Sequence, residues 1–274
     1  MSDTHGGNPF GLRMPWTKLQ SDPDGEQRNL TECQLHLYGI YEAARQKIIS
    51  LAGEDEIILL HSGDTCQGNH YTDDRETGTI ADDVIIARDN FVPFCDLPNV
   101  KIIRICKGTS VHNFGNGSAE ILVAELLSQQ YPQKSIKALN HGLLDIDGFT
   151  VDQAHHGVGF GRRIWLKGNE ARYYLRDIMM HEIAFGNRPC DLYLRGHIHT
   201  YIKEVLWMEY GEKEYESMLV ITPSMCMLGA FGTQVTRSQF LITNGLIAFE
   251  IINNRILNVF RLMDTIDIRT KECV

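Results

Sequence analysis

Paired cysteines are missing from this 274-residue chain: its seven cysteines are scattered, and no two stand as Cys-x-x-Cys. The odd number and the spacing exclude a disulfide framework and a zinc knuckle, and make a reducing cytoplasm the simplest home. Basic charge is short as well. With 26 Lys and Arg against 35 Asp and Glu, the formal charge is −9, which argues against a broad polyanion-binding surface but not against a small cationic site made by bound metal ions. No apolar run approaches the length needed to cross a bilayer, and no secretory signal heads the chain. A soluble protein is the expectation. What is present is a hydrophobic fraction of 43%, enough to bury one large α/β domain over residues 1–274.

The stretch around which the rest can be organised is Leu192-Tyr193-Leu194-Arg195-Gly196-His197-Ile198-His199. An apolar run stops at a glycine and then offers two imidazoles on alternate residues. In an extended segment these point to one side and can converge on one ion. Three further places carry Asp or His where an apolar run ends or a glycine turn begins. Asp3 and His5 share the same two-residue spacing; Ile57 to Ser62 ends at Gly63-Asp64; Val100 to Cys106 ends at Gly108-Thr109-Ser110-Val111-His112. A fourth block, Ala154-His155-His156-Gly157, follows the alternating segment Phe149 to Ala154. Asp3 is the odd one, with only Met1 and Ser2 before it. A stub that short is no full first strand, and it implies either a reading frame that starts upstream, or a fragment, or a first metal position that is loosely held.

Between these blocks the pattern alternates. Apolar positions from Leu37 to Leu51 follow helical spacing, and helices are also predicted over about Ile80–Phe91, Ala119–Gln130 and Ala171–Phe185. Ser135–Leu139 and Phe149–Ala154 read as a hairpin around the Gly142 and Gly148 turns. After His199 the chain is β-rich: Ile202–Met208, Ser217–Ile221, Leu246–Ile252 and Ile256–Leu262, the last two joined by Asn253-Asn254, a favourable two-residue turn. The order predicts an α/β fold of two packed mixed β-sheets with helices outside. Residues 1–200 carry the ligands, and 201–265 supply the β-rich second-sheet part. Ligands at successive strand ends gather along one edge.

The candidates are Asp3, His5, Asp64, His112, one of His155 and His156, His197 and His199. Nitrogen and oxygen donors without thiolate suit manganese, iron, zinc or cobalt. Two such ions, typically ~3.5–4 Å apart, can hold a hydroxide between them and clamp the oxygens of a phosphoryl group. Phosphate ester hydrolysis is the reaction class that follows.

The order Asp3-Thr4-His5, Gly63-Asp64, Gly108-Thr109-Ser110-Val111-His112, His155-His156, Gly196-His197-Ile198-His199 resembles that of the calcineurin-like metallophosphoesterases over about residues 1–200. The resemblance implies a four-layer αββα sandwich holding two divalent metal ions, manganese favoured, and a phosphate ester as substrate. It implies that Asp3, His5 and His199 bind the first ion, that Asp64 bridges both, and that His155 and His197 bind the second. His155 is favoured over His156 because the first histidine of similar blocks is usually the ligand, which leaves His156 to face the substrate. The third block departs from the family's Gly-Asn-His and is similar to a Gly-Thr-x-x-His form found in phage-type members. Thr109 is a poor ligand, so His112 either coordinates the second ion or protonates the leaving group. Gly68-Asn69-His70 spells the usual triplet but follows no strand, and is assigned to a substrate-side loop.

Blander roles suit other residues. His61, inside an apolar strand, reads as a core histidine, and His36, His141 and His181 as solvated. Cys66 reads as a small filler. Arg162 and Arg163 are equally suited to gripping a phosphate and to standing in water. Two further functions stay open: a DNA nuclease of the same fold, disfavoured by the acidic balance, and a binding or scaffold protein that has lost one metal.

Overall fold

The computed structural model of the chain describes residues 1–22, 29–70, 75–114, 118–159, 166–229 and 240–272. Helix α1 runs from Glu32 to Ala52. It begins before the apolar stripe because Thr31 sets its start: the Thr31 hydroxyl accepts from the Gln34 amide, and the Gln34 side chain accepts from the Thr31 amide. Strand β1 (Ile57–His61), helices α2 (Ile80–Asp89) and α3 (Val92–Cys95), strand β2 (Val100–Cys106), helix α4 (Ala119–Gln130) and strand β3 (Ser135–Leu139) follow. The three strands form one parallel sheet in the order β1-β2-β3.

A second sheet holds β4 (Gly142–Ile146), β5 (Phe149–Gln153), β6 (Leu192–Arg195), β7 (Ile202–Tyr210) and β8 (Lys213–Ile221) in the order β4-β5-β6-β8-β7, with α5 (Lys167–Ala184) between β5 and β6 in sequence. The hairpin expected between Ser135–Leu139 and Phe149–Ala154 does not form. Ser135–Leu139 instead follows α4 and joins β2 in parallel, and the partner of β5 is Gly142–Ile146, joined to it through Asp147 (φ 50°) and Gly148 (φ 91°). A tight turn able to adopt positive φ lies beside β4 and not beside β3.

Three apolar layers separate these elements. Leu37, Tyr41 and Ala44 of α1, Val123 and Leu127 of α4, and Ile103 and Ile105 of β2 share one core. Phe149 and Val151 of β5, Leu192 and Leu194 of β6 and Val220 of β8 form another, against which Leu60 of β1 packs, so the sheets face each other here. A third joins Ala171, Leu175 and Met179 of α5 to Tyr193, Ile202, Leu219 and Ile221. Helices, sheet, sheet and helix are thus stacked as a mixed α/β sandwich. The tail is divided: β7 and β8 complete the second sheet, whereas β9 (Leu241–Ile252) and β10 (Arg255–Asp267) pair as a separate hairpin that packs on α1.

The N-terminal stub is not loose. Met1 to Gly6 runs beside the end of β1 and its continuation: Ser62 donates to the Met1 carbonyl, Asp3 to that of Gly63, His5 to that of Asp64 and Gly6 to that of Thr65. On its other side Met225 donates to the Ser2 carbonyl. No regular strand precedes Asp3, yet hydrogen bonds on both sides fill that slot and leave Asp3 fully buried. The expectation of a weakly held Asp3 is corrected by this second neighbour, a segment distant in sequence.

Candidate metal centre

Each predicted ligand outside the stub lies just past a strand end. Asp64 follows β1, His112 ends a short 3-10 turn (Ser110–His112) after β2, His155 follows β5, and His197 and His199 follow β6. Glycines at those strand ends make the close approach possible. A methyl group at Gly108 would overlap Asp64 Oδ1, one at Gly196 would overlap Ser2 Oγ, and one at Gly63 would lie 2.5 Å from His155 Nδ1.

All eight side chains singled out from the sequence meet here. Among the described residues, four overlapping groups place donor atoms within 4.8 Å of one another: Asp3, His5 and His199; His5, Asp64 and His112; Asp3, Asp64 and His155; His155, His156 and His197. His5 Nε2 faces His199 Nε2 at 3.3 Å, and Asp3 Oδ1 lies 3.4 Å from His199 Nε2. On the other flank His155 Nε2 is 3.0 Å from Asp64 Oδ2. The rings of His156 and His197 lie 4.8 Å apart. His112 stands beside His5, its ring 4.4 Å from that of His5 and its Nε2 3.9 Å from Asp64 Oδ2, in a donor group with both.

Whether these residues fit cations can be tested on the chain itself. Buried Asp3 Oδ1, His5 Nδ1 and His155 Nε2 find no hydrogen-bond partner outside the cluster, His155 Nε2 facing Asp64 Oδ2 and Asp3 Oδ1 facing His199. An orphaned buried polar atom costs about 1–3 kcal/mol, and three in one cluster call for an occupant. The backbone tells the same story. Eight non-glycine residues among those described have positive φ, and five are Asp3 (52°), His5 (44°), Asp64 (54°), His197 (73°) and His199 (47°). The other three, Asp147, Asn253 and Asn254, sit in hairpin turns that require that conformation. Strain of about 1–3 kcal/mol per residue persists only where the surroundings impose it. A donor set of carboxylates and imidazoles with no thiolate matches a first-row divalent ion.

Neighbouring groups fix the donors. The Ser62 carbonyl, which can only accept, lies 2.5 Å from His155 Nδ1, so that nitrogen carries the proton and Nε2 is turned to Asp64. The Gln67 carbonyl does the same for His112 Nδ1 at 2.7 Å. Thr109 donates its amide to Asp64 Oδ1 at 2.6 Å and places its hydroxyl 3.0 Å from the same oxygen. The same hydroxyl lies 3.1 Å from Oδ2, which also faces the imidazoles of His155 and His112. Ser2 Oγ and the His197 amide donate to Asp3 Oδ2, and Ser224 Oγ donates to the Asp3 carbonyl. Behind Asp64, Glu120 accepts from the amide and hydroxyl of Thr65. Sequence reading missed these supports. Thr109 could have been found from its place after the strand-ending Gly108; Glu120 and Ser224 carry no local signal.

Electrostatics follow from burial and crowding. Burial pushes the Asp3 and Asp64 carboxyls up, but imidazoles outweigh it: His199 at Asp3, and His155, His112 and His5 at Asp64, hold both well below the usual range. Burial, with His112 and His199 beside it, drives His5 well below an ordinary histidine. Burial also opposes charge on His155, yet Asp64 and Asp3 lift it to about 9. His156 and His197 are lowered, first by burial and then by the neighbouring His155.

The remaining residues fall outside the cluster. Asn69 and His70 are exposed and belong to none of the donor groups. His61 is fully buried with both ring nitrogens engaged, Nδ1 accepting from the Gly63 amide and Nε2 beside the Thr4 hydroxyl. His141 reaches Asp152 at 2.8 Å on the surface, His36 lies 3.9 Å from Asp264, and the side chain of His181 is 71% exposed. Burial raises the Cys66 thiol well above its ordinary value, which suits a filler and not a nucleophile. Arg162 and Arg163 lie outside the described residues. No described helix is long and apolar enough to cross a membrane.

No protein-family profile matches the chain, and no curated protein does. Among solved structures, it is similar to the sulfate thiohydrolase SoxB of Thermus thermophilus in complex with glycerol, at 10% identity over 97% of this chain and 55% of that one, with a TM-score of 0.37. It is also similar to a Thermotoga maritima protein solved by NMR, at 12% identity over 65% of this chain and 87% of that one, with a TM-score of 0.30. The chain spans about half the length of the thiohydrolase. Superpositions this loose carry no argument about chemistry, which has to come from the cluster itself.

Proposed function

We propose that the chain is a metal-dependent hydrolase of phosphate esters, a phosphomonoesterase or phosphodiesterase that works with two divalent cations, manganese foremost. The observation that supports this is the convergence of eight ligand-type side chains from five separate segments, five of them on left-handed backbone. Asp3, His5 and His199 would hold the first cation, His155 and His197 would hold the second, and Asp64 would serve both sites. Bound there, the pair would lower the pKa of a water and polarise phosphoryl oxygens. The chain's own residues do the rest. Thr109 fixes Asp64, the Ser62 carbonyl fixes the tautomer of His155, and the anchored His112 presents Nε2 beside the scissile ester. His156, exposed at the rim, faces incoming substrate.

Purified protein supplied with manganese should hydrolyse an aryl phosphate or an aryl phosphodiester, and Asp64→Asn should abolish turnover. Activity that survives both chelation and that substitution removes the proposal. Digestion of single- and double-stranded DNA would identify a nuclease instead. Less than one tightly held ion per chain with no turnover would identify a binding protein.

A further inference from the structure

Strand β7 is the outer strand of the five-stranded sheet, and among the described residues nothing pairs with its free side. Natural edge strands are usually short, bulged or heavily charged, because a regular open edge templates pairing with another chain. β7 has few of these defences. It is nine residues long and pairs with β8 through all nine without a register shift, whereas β1–β2 and β9–β10 each contain one. Its inner face, Ile202, Leu206 and Met208, packs on α5. Its other face, Lys203, Val205, Trp207 and Glu209, lies at the rim, and Trp207 is 65% exposed.

From this face we infer that β7 pairs antiparallel with β7 of a second copy of this chain, about a two-fold axis at Leu206. That register sets Lys203 of one copy opposite Glu209 of the other, and Val205 opposite Trp207, each pair occurring twice. Opposite charges and aromatic–β-branched partners are the cross-strand pairs that stabilise sheets. A single strand complementary to itself in both charge and shape is what an isologous interface requires. A second observation concerns the isolated chain. Glu209 stands directly across β8 from Glu214, with Glu216 opposite Trp207, and no ion pair reaches Glu209 or Glu214 among the described residues. Like charges placed opposite each other destabilise a ladder, and the partner's lysine would arrive beside this acidic end. The paired edges would make one continuous ten-stranded sheet from two five-stranded ones, and the inference holds whether or not the metal centre is catalytic.

The test is the molar mass of the full chain by sedimentation equilibrium and by light scattering after gel filtration, expected at twice the 31.1 kDa of one chain. Lys203→Glu and Glu209→Lys should each weaken the dimer about tenfold or more, because each places like charges opposite one another at both symmetry-related positions. The double exchange should restore it. All four residues of this face are at the surface, so circular dichroism should show every variant folded. A wild-type chain that is monomeric at every concentration reached overturns the inference. So does a dimer indifferent to the single reversals, or one that the double exchange fails to rescue.

Discussion

Two buried polar clusters lie near the N-terminal segment, and they differ in a way that separates structure from chemistry. In the first, Arg13 and Gln34 donate to the two oxygens of Glu76, while Arg75 and Thr77 donate to those of Asp83. Both carboxylates are satisfied by guanidinium, amide and hydroxyl groups of the protein, although Arg13 Nε and Arg75 Nε are themselves left without a partner among the described residues, and none of these residues has positive φ. In the second, Asp3 and Asp64 face only imidazoles and short polar groups, Asp3 Oδ1 is orphaned, and the backbone of both residues is left-handed. Residue type alone would not tell a buried ion-pair network from a ligand shell. An unmet carboxylate oxygen on a left-handed backbone does, because an ion-pair network satisfies its carboxylates, whereas a ligand shell holds its geometry for something else.

The comparison can be broken most sharply by matched substitutions. Asp64→Asn should cost about 10³-fold or more in phosphate ester turnover, on the several kcal/mol that a metal centre contributes. Asp83→Asn should leave turnover within about twofold. Equal losses would erase the distinction. Next in size is linkage: manganese at ~100 times its dissociation constant should stabilise the fold by about 2.7 kcal/mol in a thermal melt. The shift should vanish with His199→Ala and persist with Asp83→Asn.

A similar effect of opposite origin belongs to the first cluster. Burial pushes Asp83 up to about 6 against the help of Thr77 and Arg75. The folded chain therefore binds this proton more tightly than the unfolded one, so its contribution to stability is full below about pH 4 and is lost as pH rises through about 6. The loss is on the order of 2 kcal/mol. Urea melts across that window should show the decline in the wild type and its absence in Asp83→Asn. The smallest effect is expected behind the ligands: Thr109→Val keeps the amide bond to Asp64 but removes the hydroxyl, and calorimetry should show metal affinity lowered about tenfold.

What was legible in the sequence was what is local. Apolar runs ending in Gly-Asp, Gly-His or His-His announce strands with polar ends, because period-two burial and a glycine turn are written in adjacent residues. The Asn253-Asn254 turn, with φ of 50° and 59°, is another such case. Each block is legible by that logic, and their order suggests that they meet. Tertiary structure alone decided the rest. Which strand pairs with which, as when Ser135–Leu139 joins β2 and not β5, depends on crossover packing that no local pattern encodes. The hold on Asp3 depends on Ser224 and Met225 closing in from the far end of the chain. The side on which His112 stands depends on a carbonyl at Gln67. Residue types determine which donors exist; only long-range packing determines which empty spaces they surround, because that is where burial cost and strain are balanced.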